Sequence, residues 1–204
     1  MRVIPSTSPR RRPRQARAQA TVEAIVKATA HVLVAEGYDR ASTNRIAHAA
    51  GVSIGSLYQY FPSKEALVAA LVESHVERMC QALTQTLTEQ TPNDLTSRAR
   101  VLVRGMMAAY TVDPELHHVL CQEVPKVGEL QRVYGFEQHL AEVCRGHLFS
   151  DCPCVRLTDV DRAVFLLVNA VPGVIRASLQ ANPGTLGNEG LVEDLTDMIV
   201  RYLA

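Results

Sequence analysis

Three residues in the first third of the chain, Ala47, Gly51 and Leu57, have the spacing of a helix-turn-helix. Two helices that cross closely need a side chain no larger than alanine at the contact. The tight turn between them needs a residue that tolerates positive φ, as glycine does. Leu57 would pack against the first helix and fix the angle of the second. The outward positions of residues 53–60 would then be free to enter a DNA major groove, which is ~12 Å wide and accepts one helix.

A second group of residues, Cys144, His147, Cys152 and Cys154, lies close together in the sequence and could respond to a metal or an oxidant. Thiolate and imidazole ligands together suit zinc or another soft metal. However, the spacing Cys-x2-His-x4-Cys-x-Cys is not a standard one, and Pro153 restricts the intervening loop. We therefore predict no metal site and no cofactor, and keep a metal- or thiol-redox-responsive protein as an alternative.

The formal net charge of zero conceals an asymmetry between the two ends of the chain. Residues 1–64 contain ten Lys or Arg and three Asp or Glu, a net charge of +7, and the remaining residues balance it at −7. A basic end joined to an acidic body indicates two separate roles, with the basic end facing a polyanion.

Several functional classes are excluded by what the sequence lacks. It has no phosphate-binding glycine loop, no nucleophile elbow and no carboxylate pair on one helical face, so we expect no catalytic residues and no enzyme activity. The longest apolar run, residues 163–175, is interrupted by Asn169 and Pro172, so we expect no membrane-spanning segment. The absence of a signal-peptide pattern and the odd number of cysteines, five, predict a cytoplasmic protein with reduced thiols.

The elements that must position these residues are helices throughout. Apolar residues recur at helical spacing from about Ala20, and Gly37, Gly51, Pro62 and Pro92 mark the breaks between the first helices. Further helices are expected to start at Pro114, near Phe136 after Gly128 and Gly135, at a Thr158–Asp161 capping box, and near residue 188. Because no alternating strand pattern appears, we predict an all-α fold.

The run over residues 43–67 contains Ile-Ala-x-x-Ala-Gly-Val-Ser and Leu-Tyr-x-Tyr-Phe-x-x-Lys-Glu-x-Leu. It closely resembles the DNA-binding domain of TetR-type (TetR/AcrR) transcriptional regulators, over about a quarter of the chain. The resemblance implies a homodimer that binds a palindromic DNA operator. Each subunit would have a three-helix helix-turn-helix DNA-binding domain over 19–64 and a helical effector-binding and dimerisation domain over 65–204. Independently of the resemblance, the Pro-, Ser- and Arg-rich composition before them predicts a disordered Arg-rich arm over 1–18.

Physical roles for the DNA-contacting residues agree with that resemblance. Thr43 offers a hydroxyl and a backbone N–H to a phosphate. Tyr58, Tyr60 and Lys64 can hydrogen-bond or charge-pair with the phosphates that flank the groove. Gly55 and Ser56 are small enough to let the second helix approach base edges, Gln59 is the best candidate for reading a base, and Ile54 would touch a thymine methyl. The full set of predicted DNA-binding residues is Thr43, Asn44, Arg45, Ser53, Ile54, Gly55, Ser56, Tyr58, Gln59, Tyr60 and Lys64.

The Arg-rich arm contains Arg10, Arg11, Arg12 and Arg14, and two roles remain open for it. It could insert into an adjacent minor groove. It could instead be a solvated tail that adds only salt-dependent, nonspecific affinity.

A regulator of transcription must respond to a signal. The apolar stripes of the effector-binding domain predict a pocket for a small apolar or amphipathic effector, whose binding releases the repressor from DNA. The last two helices carry apolar stripes broad enough to form a four-helix dimer interface. An effector-free DNA-architectural protein is the remaining alternative. The predicted effector-binding residues are Met106, Tyr110, Leu120, Val124, Phe136, Leu140, Phe165 and Asn169.

Overall fold

The computed structural model describes residues 16–88, 92–123, 130–149, 159–181 and 189–204, and these residues form helices without any strand. The all-α prediction is confirmed. In chain order the described helices are α1 (Ala16–Arg40), α2 (Thr43–Ala49), α3 (Ile54–Tyr60), α4 (Lys64–Thr88), α5 (Leu95–Tyr110), α6 (Pro114–Glu123), α7 (Leu130–Phe149), α8 (Val160–Ala181) and α9 (Glu189–Leu203).

These helices belong to two compact units. The first unit takes in the chain up to His75 together with Glu115–Val133, and so holds α1, α2, α3, the start of α4 and most of α6. The second unit consists of Val76–Pro114 and Tyr134–Ala204, and so holds the rest of α4, α5, most of α7, α8 and α9. The predicted Arg-rich arm falls almost entirely outside the described residues.

Helix α1 begins at Ala16, earlier than the expected start near Ala20. In this first part of the helix, Gln19 Nε2 donates to Glu23 Oε1 at 3.0 Å and Thr21 Oγ1 donates to the Arg17 carbonyl at 2.9 Å, each across one helical turn. The expected break at Gly37 is confirmed, since this residue has φ 74° and interrupts the helical backbone before a last turn.

Side-chain caps start several helices where the sequence predicts them. Ser42 accepts from the Arg45 N–H and begins α2, and Ser53 accepts from the Ser56 N–H and begins α3. At α8, Asp159 Oδ1 accepts from the Arg162 N–H at 2.9 Å, so Asp159 caps the helix, whereas the predicted cap, Thr158, lies outside the described residues.

The prediction that α7 starts near Phe136 is wrong, because the helix begins at Leu130 and contains Gly135. A glycine in a helix interior costs about 1 kcal/mol relative to alanine. Helix α7 tolerates that cost because Phe136, Leu140, Cys144 and Leu148 recur at every fourth position, and all four are buried in the core of the second unit.

Helix α8 is longer than the apolar run seen in the sequence, with 22 residues. By length and composition alone it would be able to cross a membrane. Its buried side chains, among them Val164, Leu167, Val171 and Ile175, belong to the core of the second unit. The core helix of a helical protein has the same length and apolar composition as a membrane-spanning helix.

Candidate nucleic-acid interface

The turn between α2 and α3 is closed by Gly51, which has φ 67°. The Gly51 N–H donates to the His48 carbonyl at 3.1 Å, and the Val52 N–H donates to the Ala47 carbonyl at 3.0 Å. This pair of bonds is the Schellman arrangement, which requires a left-handed residue at the position of the glycine. The prediction that Gly51 supplies the positive φ of the turn is therefore confirmed. The turn sets the direction of α3 relative to α2.

Helix α3 has one buried side and one exposed side. Leu57 and the following Phe61 are buried, and they anchor the helix to the core of the first unit together with Ile46 of α2. On the opposite side Ile54 and Tyr58 are large apolar residues with exposed fractions of 38% and 42%. An exposed apolar surface beside polar positions is typical of a binding surface.

Gly55 lies on this exposed side and has room around it. A Cβ added at Gly55 would have only the Ser53 Oγ within 4 Å, at 3.9 Å. Packing within the chain therefore does not require glycine here. Because glycine in a helix is destabilising relative to alanine, its presence is better explained by the close approach of something outside the chain.

Thr43 and Tyr58 are joined by their hydroxyls, which lie 3.0 Å apart. This contact links the first residue of α2 to the middle of α3 and places two hydroxyl groups side by side at an exposed position. Hydroxyls of Ser, Thr and Tyr are common donors to DNA phosphates. The role of these two residues as phosphate contacts stays a prediction.

Lys64 makes contacts within the chain, and its role as a phosphate contact stays a prediction. Its Nζ donates to the Tyr38 carbonyl at 2.8 Å and to the Ala41 carbonyl at 3.1 Å, and it lies 3.9 Å from the centre of the Tyr38 ring. The ammonium group thus binds the carbonyl end of α1 through charge-assisted hydrogen bonds. Lys64 joins the start of α4 to the end of α1, and two of its three N–H donors are occupied.

Tyr38 and Glu65 complete this arrangement, and neither is predicted from the sequence because 27 residues separate them. The Tyr38 hydroxyl donates to Glu65 Oε1 at 3.3 Å. Burial, the nearby Glu65 charge and this hydrogen bond raise the pKa of Tyr38 to about 12. Burial alone would raise the pKa of Glu65, but hydrogen bonds from its own backbone, Ser63 and Tyr38, with the Lys64 charge, outweigh burial and lower it.

The other predicted DNA-binding residues lie in α2, in α3 or at the start of α3. Arg45 is exposed and forms an ion pair with Glu36 of α1. The Ser53 and Ser56 hydroxyls contact each other at 2.8 Å. Asn44 and Gln59 are exposed, and Tyr60 is half-buried. The predicted set thus lies within two neighbouring helices, with the Lys64 side chain at the carbonyl end of α1, and its role in DNA binding stays a prediction.

The predicted effector-binding residues are divided by the structure. Met106, Tyr110, Phe136 and Leu140 are buried together in the core of the second unit, where the Tyr110 and Phe136 rings meet edge to face at 5.5 Å. The Arg176 guanidinium lies 5.9 Å from the centre of the Tyr110 ring. These four residues form a compact apolar group with an aromatic centre.

The other four predicted effector-binding residues do not join that group. Leu120 belongs to the first unit, and Val124 lies outside the described residues. Phe165 is 64% exposed and Asn169 is also exposed, so both lie on the outer side of α8. The Asn169 Nδ2 donates to the Phe165 carbonyl at 2.7 Å, which satisfies the amide within the helix.

The Cys144 and His147 pair belongs to the packing of the second unit. Cys144 is fully buried, and burial raises its pKa to about 12, which makes the thiol a poor ligand and nucleophile. His147 Nε2 donates to the Arg98 carbonyl at 3.1 Å. Cys152 and Cys154 lie outside the described residues. Among the residues that the structure describes, no three His, Cys, Asp or Glu side chains are grouped to hold a metal ion.

Two family models match the sequence and together cover most of it. Residues 25–71 match the model described as bacterial regulatory proteins, tetR family, and residues 94–203 match the model described as tetracyclin repressor-like, C-terminal domain. Among curated proteins, the nucleoid occlusion factor SlmA of Vibrio vulnificus (strain YJ016) is 32% identical over 99 residues, which are 48% of this chain and 50% of SlmA. The chain thus spans about half the length of this relative.

Solved structures with the same fold cover nearly the whole chain. A TetR-family transcriptional regulator from Streptomyces coelicolor has a TM-score of 0.62 at 22% identity, covering 89% of this chain and 96% of that one. The regulator FadR from Bacillus subtilis, in complex with stearoyl-CoA, has a TM-score of 0.64 at 15% identity, covering 88% and 95%. At these identities the likeness shows the fold alone.

Proposed function

Because the chain belongs to the TetR family of bacterial regulatory proteins, we propose that it is a repressor of transcription that a small-molecule effector releases from a palindromic DNA operator. The observation that carries this proposal is the exposed side of α3. A rigid Schellman turn and two buried anchors hold a short helix whose outer surface has a glycine that no contact inside the chain requires. Such a surface suits close contact with base edges in a major groove.

A palindromic operator requires two recognition helices related by a two-fold axis, and hence a homodimer. Two helices of the second unit support this part of the proposal. Phe165, Leu166 and Val174 of α8, with Met198 and Tyr202 of α9, are large apolar side chains that the chain leaves exposed. Together with the same helices of a second copy they would form a buried four-helix interface.

The effector site is proposed within the second unit, around the buried group of Met106, Tyr110, Phe136 and Leu140. Apolar side chains with a few polar neighbours are typical of pockets for small molecules. An amphipathic effector fits this group, with its apolar part against the aromatic pair and its polar part near Arg176. The FadR structure bound to stearoyl-CoA supports an amphipathic ligand for a protein of this fold.

The test is selection of a binding site by the full-length protein from a library of random DNA duplexes, followed by footprinting. We expect a short palindrome with two half-sites one helical turn apart. Coating of DNA in proportion to its length would instead support an architectural protein, and the absence of any preferred duplex would refute the proposal.

A pair of glutamine variants tests direct reading of a base on the selected operator. Gln59→Ala removes the exposed amide of α3, and we expect a loss of about 1–3 kcal/mol in binding that is concentrated at one operator position. Gln122→Ala, at an exposed position of α6, is the matched control and should leave affinity unchanged. Equal affinity of both variants would remove Gln59 from the proposed interface.

A further inference from the structure

Three side chains of the first unit form a chain of contacts that DNA binding does not use. His75 of α4 lies with its Nε2 3.2 Å from Nδ1 of His117 in α6. The other nitrogen of His117, Nε2, lies 3.5 Å from the sulfur of Cys121, one helical turn further along α6. His75 is almost fully buried, with 3% of its surface exposed, whereas Cys121 is exposed. The sequence separation of 42 residues hides this cluster from inspection of the sequence.

Cys121, His117 and His75 are arranged like the nucleophile, base and orienting group of an activated nucleophile. A thiol lies within reach of an imidazole, and a third group contacts the far side of that imidazole. When the Cys121 proton moves to His117, both nitrogens of the resulting imidazolium carry a hydrogen. Nε2–H then donates to the thiolate, and Nδ1–H donates to Nε2 of His75. Both donors are satisfied, which favours the thiolate–imidazolium pair over the neutral pair.

We propose that Cys121 is a site of covalent modification by soft electrophiles of the activated-alkene class, such as α,β-unsaturated carbonyl compounds. His117 is the base, and His75 is a positioning residue that orients the His117 ring.

In the reaction, the Cys121 sulfur forms a bond to the β carbon of the alkene, and the π electrons of the carbon–carbon double bond move toward the carbonyl group. The proton that left the thiol for His117 is returned to the α carbon. The product is a thioether, and neither an oxidant nor a reductant is consumed.

The chain provides two internal controls. Cys80 is half-buried, and burial together with the Glu77 charge raises the pKa of its thiol. Cys144 is fully buried, and its pKa is raised to about 12. Neither environment favours a thiolate, so both cysteines should react more slowly than Cys121 in the folded protein.

The experiment treats the full-length protein with N-ethylmaleimide, an activated alkene, and follows each cysteine by peptide mass spectrometry. At pH 7 we expect Cys121 to react at least about tenfold faster than Cys80 and Cys144, and at least about tenfold faster than Cys121 in a His117→Gln variant. The rate at Cys121 should reach its plateau at a lower pH in the natural protein than in H117Q. His75→Gln should move the plateau in the same direction as H117Q.

Reaction of Cys144 reports unfolding, so a variant that fails to fold is recognised within the same experiment. If H117Q unfolds, the natural protein alone decides the question through its dependence on pH. A Cys121 rate that keeps rising through pH 8.5, as for an ordinary thiol, overturns the proposal. So does a rate equal to that of Cys80, or a folded H117Q that reacts as fast as the natural protein.

Discussion

At the scale of single residues, the exposed glycine of α3 gives the sharpest separation between folding and DNA binding. Gly55→Ala adds a methyl group that meets nothing closer than 3.9 Å within the chain. We expect the free energy of unfolding to rise by about 0.5–1 kcal/mol, because alanine is the better helix former. We also expect operator affinity to fall, because the methyl group lies on the side that approaches the bases. Thermal unfolding and fluorescence anisotropy with the selected operator measure the two effects.

A G55A variant that binds the operator at least as tightly as the natural protein would show that the glycine serves no close approach. A matched control for the effect on folding is Gly146→Ala in α7, where an added Cβ meets nothing within 4 Å. This control should gain similar stability without any change in DNA affinity.

Lys64 illustrates how a residue of a recognised motif can have a structural role. Lys64→Met keeps the aliphatic stem but removes the donors to the Tyr38 and Ala41 carbonyls. We expect a loss of about 1–3 kcal/mol in the free energy of unfolding, measured by urea denaturation. Lys27→Met, at an exposed position of α1, controls for the loss of a positive charge and should change stability little.

The salt dependence of operator binding distinguishes this role from the phosphate contact expected from the sequence. A lost phosphate contact lowers the slope of log affinity against log salt concentration by about one. We expect the slope of K64M to stay unchanged. A stable K64M protein with a reduced slope would show that Lys64 contacts a phosphate.

At the scale of helices, turn chemistry explains which boundaries the sequence predicts correctly. Gly37 and Gly51 have positive φ, and Ser42 and Ser53 accept hydrogen bonds from N–H groups three residues later in the chain. Each of these signals therefore acts within a few residues of the helix boundary that it sets. The start of α7 is mispredicted because it depends on burial of a face against other helices, which outweighs the cost of one glycine.

The same distinction between local and distant contacts applies to the functional residues. The surface of α2 and α3 is predicted because its residues are neighbours in the chain. The Lys64 contacts with the end of α1 join residues at least 23 positions apart, and the contact between His75 and His117 joins residues 42 positions apart. Only the contact between His117 and Cys121 lies within a single helical turn. The sequence pattern has no signal for such pairs, since they are created by the packing of helices.

The contact between α5 and α7 should make the second unit sensitive to acid. His147 Nε2 donates to the Arg98 carbonyl, and the Arg98 guanidinium donates to the His147 carbonyl at 3.3 Å. Burial and the Arg98 charge lower the pKa of His147, despite its hydrogen bond to the Arg98 backbone. The folded protein therefore binds this proton more weakly than the unfolded chain.

The sign of the effect follows from that difference. The contribution of His147 to stability is fully present above pH 6.5, the ordinary pKa of histidine. It is lost as the pH falls through the lowered pKa that His147 has in the folded protein. We expect His147→Gln, which keeps an N–H donor, to lose less unfolding free energy between pH 7 and 5 than the natural protein. An equal loss of unfolding free energy in H147Q and in the natural protein between pH 7 and 5 would contradict this. His118→Gln, at an exposed position of α6, controls for the loss of a histidine.

At the scale of the whole molecule, the exposed apolar side chains indicate how copies of the chain meet. Among the described residues, all seven large apolar side chains that are exposed lie on α3, α8 or α9. The two on α3 belong to the proposed DNA interface. The other five lie on two helices of the second unit that contact each other. Separate surfaces for DNA and for a second copy are what a dimeric DNA-binding protein needs.

Phe165 has the largest exposed fraction of these residues, 64%, and a charge at that position tests the dimer interface. Burying one such side chain stabilises an interface by about 1.5–3 kcal/mol. A two-fold axis places the residue in the interface twice, so Phe165→Glu should cost about 3–6 kcal/mol, or roughly two to four orders of magnitude in dimer affinity. We expect a monomer in sedimentation velocity, with weakened binding to the full palindrome.

Ile54→Glu is the matched control for this prediction, because it makes the same kind of change on the exposed side of α3. We expect this variant to stay dimeric and to lose operator binding. The two variants together separate assembly from recognition, since F165E should abolish the dimer and I54E should not. Both should keep the subunit fold, as judged by circular dichroism. A dimeric F165E would remove Phe165 from the dimer interface, and a monomeric I54E would place Ile54 in that interface.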